Sequence, residues 1–121
     1  TMNGELYIAK PPLFYWAMAL AATAFGSTAE GVLRLPAIAC GMGLLFWGWA
    51  WCRRHAGRNH AAWFIVVLAT SQLFIQHTRS AEIEIMLALL NSAALFLLYD
   101  HLVRPSRLTL HAAFACLGLA V

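Results

Sequence analysis

Apolar residues fall in long blocks along this chain, separated by short polar stretches, and the blocks read as helices of a membrane protein. Segment A, residues 13–25, follows Pro11-Pro12, where the missing N–H groups of proline are harmless in a first helical turn. It ends at Gly26 and has too few apolar residues for the roughly 20 of a span, so a helix over about 12–26 lying along the membrane interface or dipping into it is expected. Segment B, residues 35–52, is long enough to cross, with Pro36 in its first turn and Gly41, Gly43 and Gly48 leaving room for close packing. Trp47, Trp49 and Trp51 crowd its far end as an interfacial belt would. Segment C is expected to return over about 61–78, with Thr70, Ser71 and Gln72 inside it bonding to nearby backbone or helices. Segment D crosses again over about 83–100, and segment E starts at residue 108 and runs to 121. The fold class expected is an all-α, multi-pass membrane protein.

Composition supports this. Of 121 residues, 62% are hydrophobic and 11% charged, against roughly 25% charged in an ordinary soluble domain. There is too little charge to coat a water-exposed surface. Cys40, Cys52 and Cys116 are scattered through apolar blocks without metal-ligand spacing and read as small apolar residues. Residues 1–5 lack the basic start and apolar core of a signal peptide, and residues 117–121 lie within an apolar block, so a piece of a larger membrane protein is expected.

Between segments C and D stands a polar island, Gln76-His77-Thr78-Arg79-Ser80-Ala81-Glu82-Ile83-Glu84. A charge inside hydrocarbon costs about 2.5–3.5 kcal/mol on insertion scales, so the island belongs at a membrane surface. Segments B, C and D alternate in direction, which puts loops 53–60 and 101–107 on the other side. Those loops carry Arg53, Arg54, Arg58, Arg104 and Arg107 against Asp100. If segment A does not cross, the island side carries Lys10, Arg34 and Arg79 against Glu5, Glu30, Glu82 and Glu84. The positive-inside rule then predicts cytoplasmic arginine loops and an island facing outward.

Candidate chemistry gathers at the island. Lys10 and Arg79 suit a phosphate headgroup, the plain alternative being side chains that snorkel to lipid. Glu82 and Glu84 are placed in the first turn of helix D, with Ser80 as its N-cap, where acids complement the helix dipole. Their functional alternative is to orient an acceptor, hold an arginine or bind a metal. Spaced i, i+2 on a helix they point apart, which argues against a carboxylate dyad. The histidines show no ligand pattern: His77 stands near the island without a second histidine. No phosphate-cradling glycine loop, serine elbow or redox cysteine pair is present.

Lys10-Pro11-Pro12-Leu13-Phe14-Tyr15-Trp16, then Phe25-Gly26, Arg34-Leu35-Pro36, Arg53-Arg54 with Gly57-Arg58, and Leu68-Ala69-Thr70-Ser71 with Leu73-Phe74, resemble the dolichyl-phosphate-mannose protein mannosyltransferase superfamily, bacterial members such as the lipid A aminoarabinose transferase above all. Arg79 with Glu84 five residues later resembles that family's arginine and acidic residue at the mouth of a transmembrane helix. The resemblance implies a GT-C glycosyltransferase bundle with an interfacial helix at its N-terminal end. It implies transfer of a sugar from a polyprenyl-phosphate donor to lipid A, another glycolipid or a protein, in the bacterial inner membrane, with the site facing the periplasm or exterior. Lys10 and Arg79 would contact the donor phosphate, Glu84 and Glu82 would orient the acceptor or shape the pocket, and the catalytic carboxylate would lie before Thr1. Ala9 stands where the aminoarabinose transferase has a metal-associated glutamate, so no metal is expected from that position. The family's commoner aspartate is here Glu84. No nucleic acid is expected as a partner. The rival reading is a non-enzymatic transporter or assembly module whose outer polar cluster binds lipid or ions; a transporter would call for charges within the spans or paired broken helices, and segments B, C and D are expected to show neither.

Overall fold

The computed structural model describes residues 12–80 and 82–120, and every element among them is helical. In order these are α1 (Pro12–Phe25), α2 (Glu30–His55), α3 (Arg58–Thr70), α4 (Gln72–Arg79), α5 (Glu84–Val103) and α6 (Arg107–Leu119). Helix α2 is the axis of the bundle and touches α1, α3, α4 and α5, while α6 packs on α5. It runs parallel to α5, since His55 at its end meets Asp100 near the end of α5.

Two glycines set the turns around α2. Gly26 (φ 59°) and Gly57 (φ 93°) adopt backbone angles that side chains resist, closing α1 and turning α2 into α3. Helix α2 begins at Glu30, five residues before the expected start: residues 30–34 contain no proline, and α1 packs against the helix. Glu30 then complements the dipole in the first turn and pairs with Arg34 one turn on. Pro36 accordingly lies inside the helix, not in its first turn, and leaves the Val32 carbonyl without its usual partner.

Helices α2 and α5 are long and apolar enough to cross a membrane. At 1.5 Å per residue, the 20 residues of α5 reach about 30 Å, one hydrocarbon thickness. The expected continuous segment C is broken at Ser71 (ψ 123°), where α3 and α4 meet at a 63° bend. Polar side chains favour such a break because they offer the backbone other partners. Thr70 Oγ1 donates to the Val66 carbonyl at 2.6 Å, and Ser71 N–H to Leu68 O at 3.1 Å. Taken as one bent span, α3 and α4 make a third crossing. Helices α1 and α6 are shorter apolar helices.

The packing suits lipid as the solvent. Small residues fill the contacts between helices: Ala37, Ala61, Ala93, Ala94 and Ala113 are buried. Large ones such as Phe46 and Leu95, near the middle of their helices, are exposed by 70% and 66%. Burying a large apolar side chain gains little when the surroundings are already hydrocarbon, so close approach of backbones and dispersion drive association. Glycines take this furthest. A Cβ on Gly48 would lie 2.3 Å from the Phe64 ring, and one on Gly41 2.9 Å from the Thr78 side chain. Helix α3 thus seats on α2 near one end and α4 near the other.

One core cluster lies at the island end. Phe14, Ala37, Ile83, Ile85 and Met86 are buried together, with Leu13, Met18, Cys40 and Phe74 packed against them. The start of α1 is thereby fixed beside the start of α5.

Candidate functional site

The island is divided between two helices. Helix α4 carries His77, Thr78 and Arg79 in its last turns, and Glu84 opens α5. Ser80 does not cap α5: its hydroxyl donates back to the Gln76 carbonyl at 2.7 Å, and it closes α4 instead. The N-cap of α5 is Ile83, without a side-chain cap bond, and Glu82 precedes the helix instead of sitting in its first turn. The reason is that Ser80 bonds back into α4 and is used there before α5 begins.

This changes the geometry of the acids. Outside a helix, an i, i+2 pair need not diverge. The side-chain donor atoms of His77, Glu82 and Glu84 all lie within 4.8 Å of one another, so these three could share a divalent cation. His77 Nδ1 donates to Glu82 Oε2 in a short bond. His77 and Glu82 are half-buried and Glu84 is exposed. Arg79 is exposed. Lys10 and Ala9 lie outside the described residues. Beneath the cluster an apolar cleft of about 230 Å³, lined by Leu44, Leu68, Leu73, Phe74 and Ile85, is shared by His77 and Glu84. Charged groups at the rim of an apolar slot can hold a polar head while a hydrocarbon tail enters the slot.

The sequence reading brought His77, Arg79, Glu82 and Glu84 to one end of the bundle. It missed that His77 joins the glutamates, because a lone histidine near acids carries no spacing signal.

A second polar cluster, also unforeseen, occupies the opposite end. Asp100 Oδ1 accepts from Trp51 Nε1 at 3.2 Å and lies 2.7 Å from His55 Nε2, with Arg54 4.0 Å from the other oxygen. Trp51 stacks on Phe96 (4.7 Å between centroids) and meets Tyr99 edge-on. The signal was in principle readable: Trp51 and His55 are one turn apart on α2, as are Phe96 and Asp100 on α5.

The model of the dolichyl-phosphate-mannose-protein mannosyltransferase family matches residues 9–121, nearly the whole chain. The chain belongs to that family. An uncharacterized protein of Aquifex aeolicus is 29% identical to it over 120 residues, 98% of this chain but 24% of the relative. The chain thus spans about a quarter of the length of that relative. No solved structure matches it significantly. Family membership and the apolar helices together make this an integral membrane protein of the GT-C type.

Proposed function

We propose that this chain forms part of a membrane glycosyltransferase that moves a sugar from a polyprenyl-phosphate donor to an acceptor hydroxyl on lipid A, another glycolipid or a protein. The observation that carries the reading, beyond family membership, is the polar cluster of His77, Glu82 and Glu84 over an apolar cleft, with Arg79 on the same turn. A polyprenyl phosphate has this division: a charged head and an isoprenoid tail.

In the transfer, the acceptor oxygen attacks the anomeric carbon and the bond from that carbon to the phosphate oxygen breaks. The phosphate leaves with the electron pair, and the acceptor proton passes to a carboxylate, expected from the resemblance to lie before Thr1. Cations at the phosphate stabilise the developing charge. Arg79 and Lys10 take that role, and Glu84 and Glu82 orient the acceptor. Support for Lys10 comes from its neighbours: Leu13 and Phe14 pack with Ile83 and Ile85, which flank Glu84. Lys10 and Glu84 should lie at similar membrane depth.

The test is transfer from a labelled polyprenyl-phosphate sugar in membranes holding the full-length protein at matched expression. Lys10→Ala should lower the rate by about ten- to a hundredfold, since a charge-assisted phosphate contact is worth about 1.5–3 kcal/mol. Full activity in that variant would refute the phosphate role. The outward orientation of the island is tested by impermeant cysteine labelling in a background without the native cysteines: position 80 should label from outside intact cells and position 59 should not.

A further inference from the structure

The end of the bundle remote from the island holds a second cleft, of about 410 Å³, between the end of α2, the turn after α5 and the start of α6. Arg54, His55, Asp100, Arg104, Ser106 and Thr109 are among its walls. Nothing in the proposed transfer uses it. We propose that this cleft binds one phosphate-bearing anion, either the headgroup of a phospholipid in the adjoining leaflet or a free phosphate.

Four features of the cleft converge. Two arginines line it from separate elements, Arg54 in the last turn of α2 and Arg104 in the turn after α5. Arg54 has donors to spare: its side chain is 75% exposed, and its link to Asp100 is 4.0 Å long. Asp100, the one acid among the described residues of the wall, has His55 Nε2 at 2.7 Å and Trp51 Nε1 donating at 3.2 Å, both closer than Arg54 at 4.0 Å. Ser106 is the N-cap of α6 but its side chain makes no cap bond, leaving a hydroxyl and the first amides of a 13-residue helix on the same side as the arginines. Thr109 is less available, because its hydroxyl donates to the Ser106 carbonyl at 2.8 Å.

The turn itself is held in shape. Ser106 N–H donates to His101 Nδ1 at 3.1 Å, which fixes the start of α6 relative to the end of α5. The flanks favour a lipid as the source of the phosphate. Leu102 and Leu108, either side of the turn, are 80% and 79% exposed, and Val103 lines the cleft. Acyl chains can lie on those residues while a phosphodiester bridges the two arginines. Arginine suits this better than lysine, since its planar fork matches two phosphate oxygens.

The test uses the full-length protein in detergent, titrated with dioleoyl phosphatidylglycerol and, in a separate arm, with inorganic phosphate, and read by native mass spectrometry. One lipid should bind, about tenfold more weakly in the Arg54→Gln/Arg104→Gln double variant. A second double variant, Arg53→Gln/Arg58→Gln, alters arginines outside the cleft wall and should bind as the wild type does. The thermal midpoint without lipid, measured for both, confirms that each is folded. Phosphate competing with the lipid at equal concentration would assign the site to free phosphate, and lipid binding untouched by phosphate would assign it to the headgroup; both support the proposal. Equal binding by wild type and the Arg54/Arg104 variant would overturn it. So would an equal loss in the Arg53/Arg58 variant, which would mark a general attraction of positive charge for anionic lipid.

Discussion

At one end of the bundle, Asp100 is held by residues some 45 to 49 positions away in sequence, inside a wall of Trp51, Phe96 and Tyr99. At the other, His77 and Glu82 are five positions apart, Glu84 is exposed, and Arg79 stands in the open. Both ends carry a histidine on a carboxylate, yet they differ in what the pairing joins. The Asp100 cluster ties two parallel helices together. The island cluster ties one turn to itself, with Arg79 exposed beside it. A polar network between helices mainly adds stability, whereas one built within a turn costs little to open towards a ligand.

The contrast breaks most readily at Asp100. Asp100→Ala in the full-length protein should lower stability by about 2–3 kcal/mol, since a partly buried histidine and an indole N–H both lose a charged acceptor. Thermal unfolding in detergent would show it, and an unchanged midpoint would reduce the cluster to surface decoration. Next comes Glu84→Gln, expected to slow sugar transfer about tenfold, or about 1.4 kcal/mol in barrier, at an unchanged unfolding midpoint. Glu84→Asp should keep most of the rate because it keeps the charge. Equal rates in the two variants would leave Glu84 as a residue that only complements the α5 dipole.

Smaller effects sharpen the same division. Trp51→Phe keeps an aromatic ring against Phe96 but removes the bond to Asp100, and should cost about 1 kcal/mol of stability. A loss well above that would mean that the indole's bulk matters more than its N–H. Arg34→Gln breaks an exposed pair with Glu30 on a single helix and should shift stability by no more than about 0.5 kcal/mol. A larger shift would show that this end of α2 is less solvated than its exposure suggests.

Long uncharged blocks marked the rough place of the helices, though not the break that makes two helices of segment C, because a backbone in lipid must bond to itself and a helix is the way one segment does so. Charge clusters likewise set which turns share an end of the bundle. The ordered motifs from Lys10 to Glu84 pointed to the family that the family model then matched. Local chemistry was less legible. Whether helix α2 begins at Glu30 or Leu35 rests on weak preferences that packing against α1 resolves. Whether Ser80 ends one helix or starts the next depends on how tightly α4 turns into α5. The bend at Ser71 is latent in Thr70-Ser71-Gln72, but its use, bringing Phe74 into the core and Thr78 onto Gly41, exists only once α2 is in place.

What the sequence by itself determined is therefore the membrane, the helices, the polar island and the family: each follows from composition, block length or ordered motifs, all local along the chain. Tertiary structure alone decided which polar groups meet. His77 reaches Glu82 and Glu84 because Glu82 lies outside a helix. Asp100 meets Trp51 and His55 because α2 and α5 run parallel and end together. Contacts between segments far apart in the chain are set by the packing of whole helices, here of alanines and glycines that let backbones approach, and small apolar residues do not announce their partners.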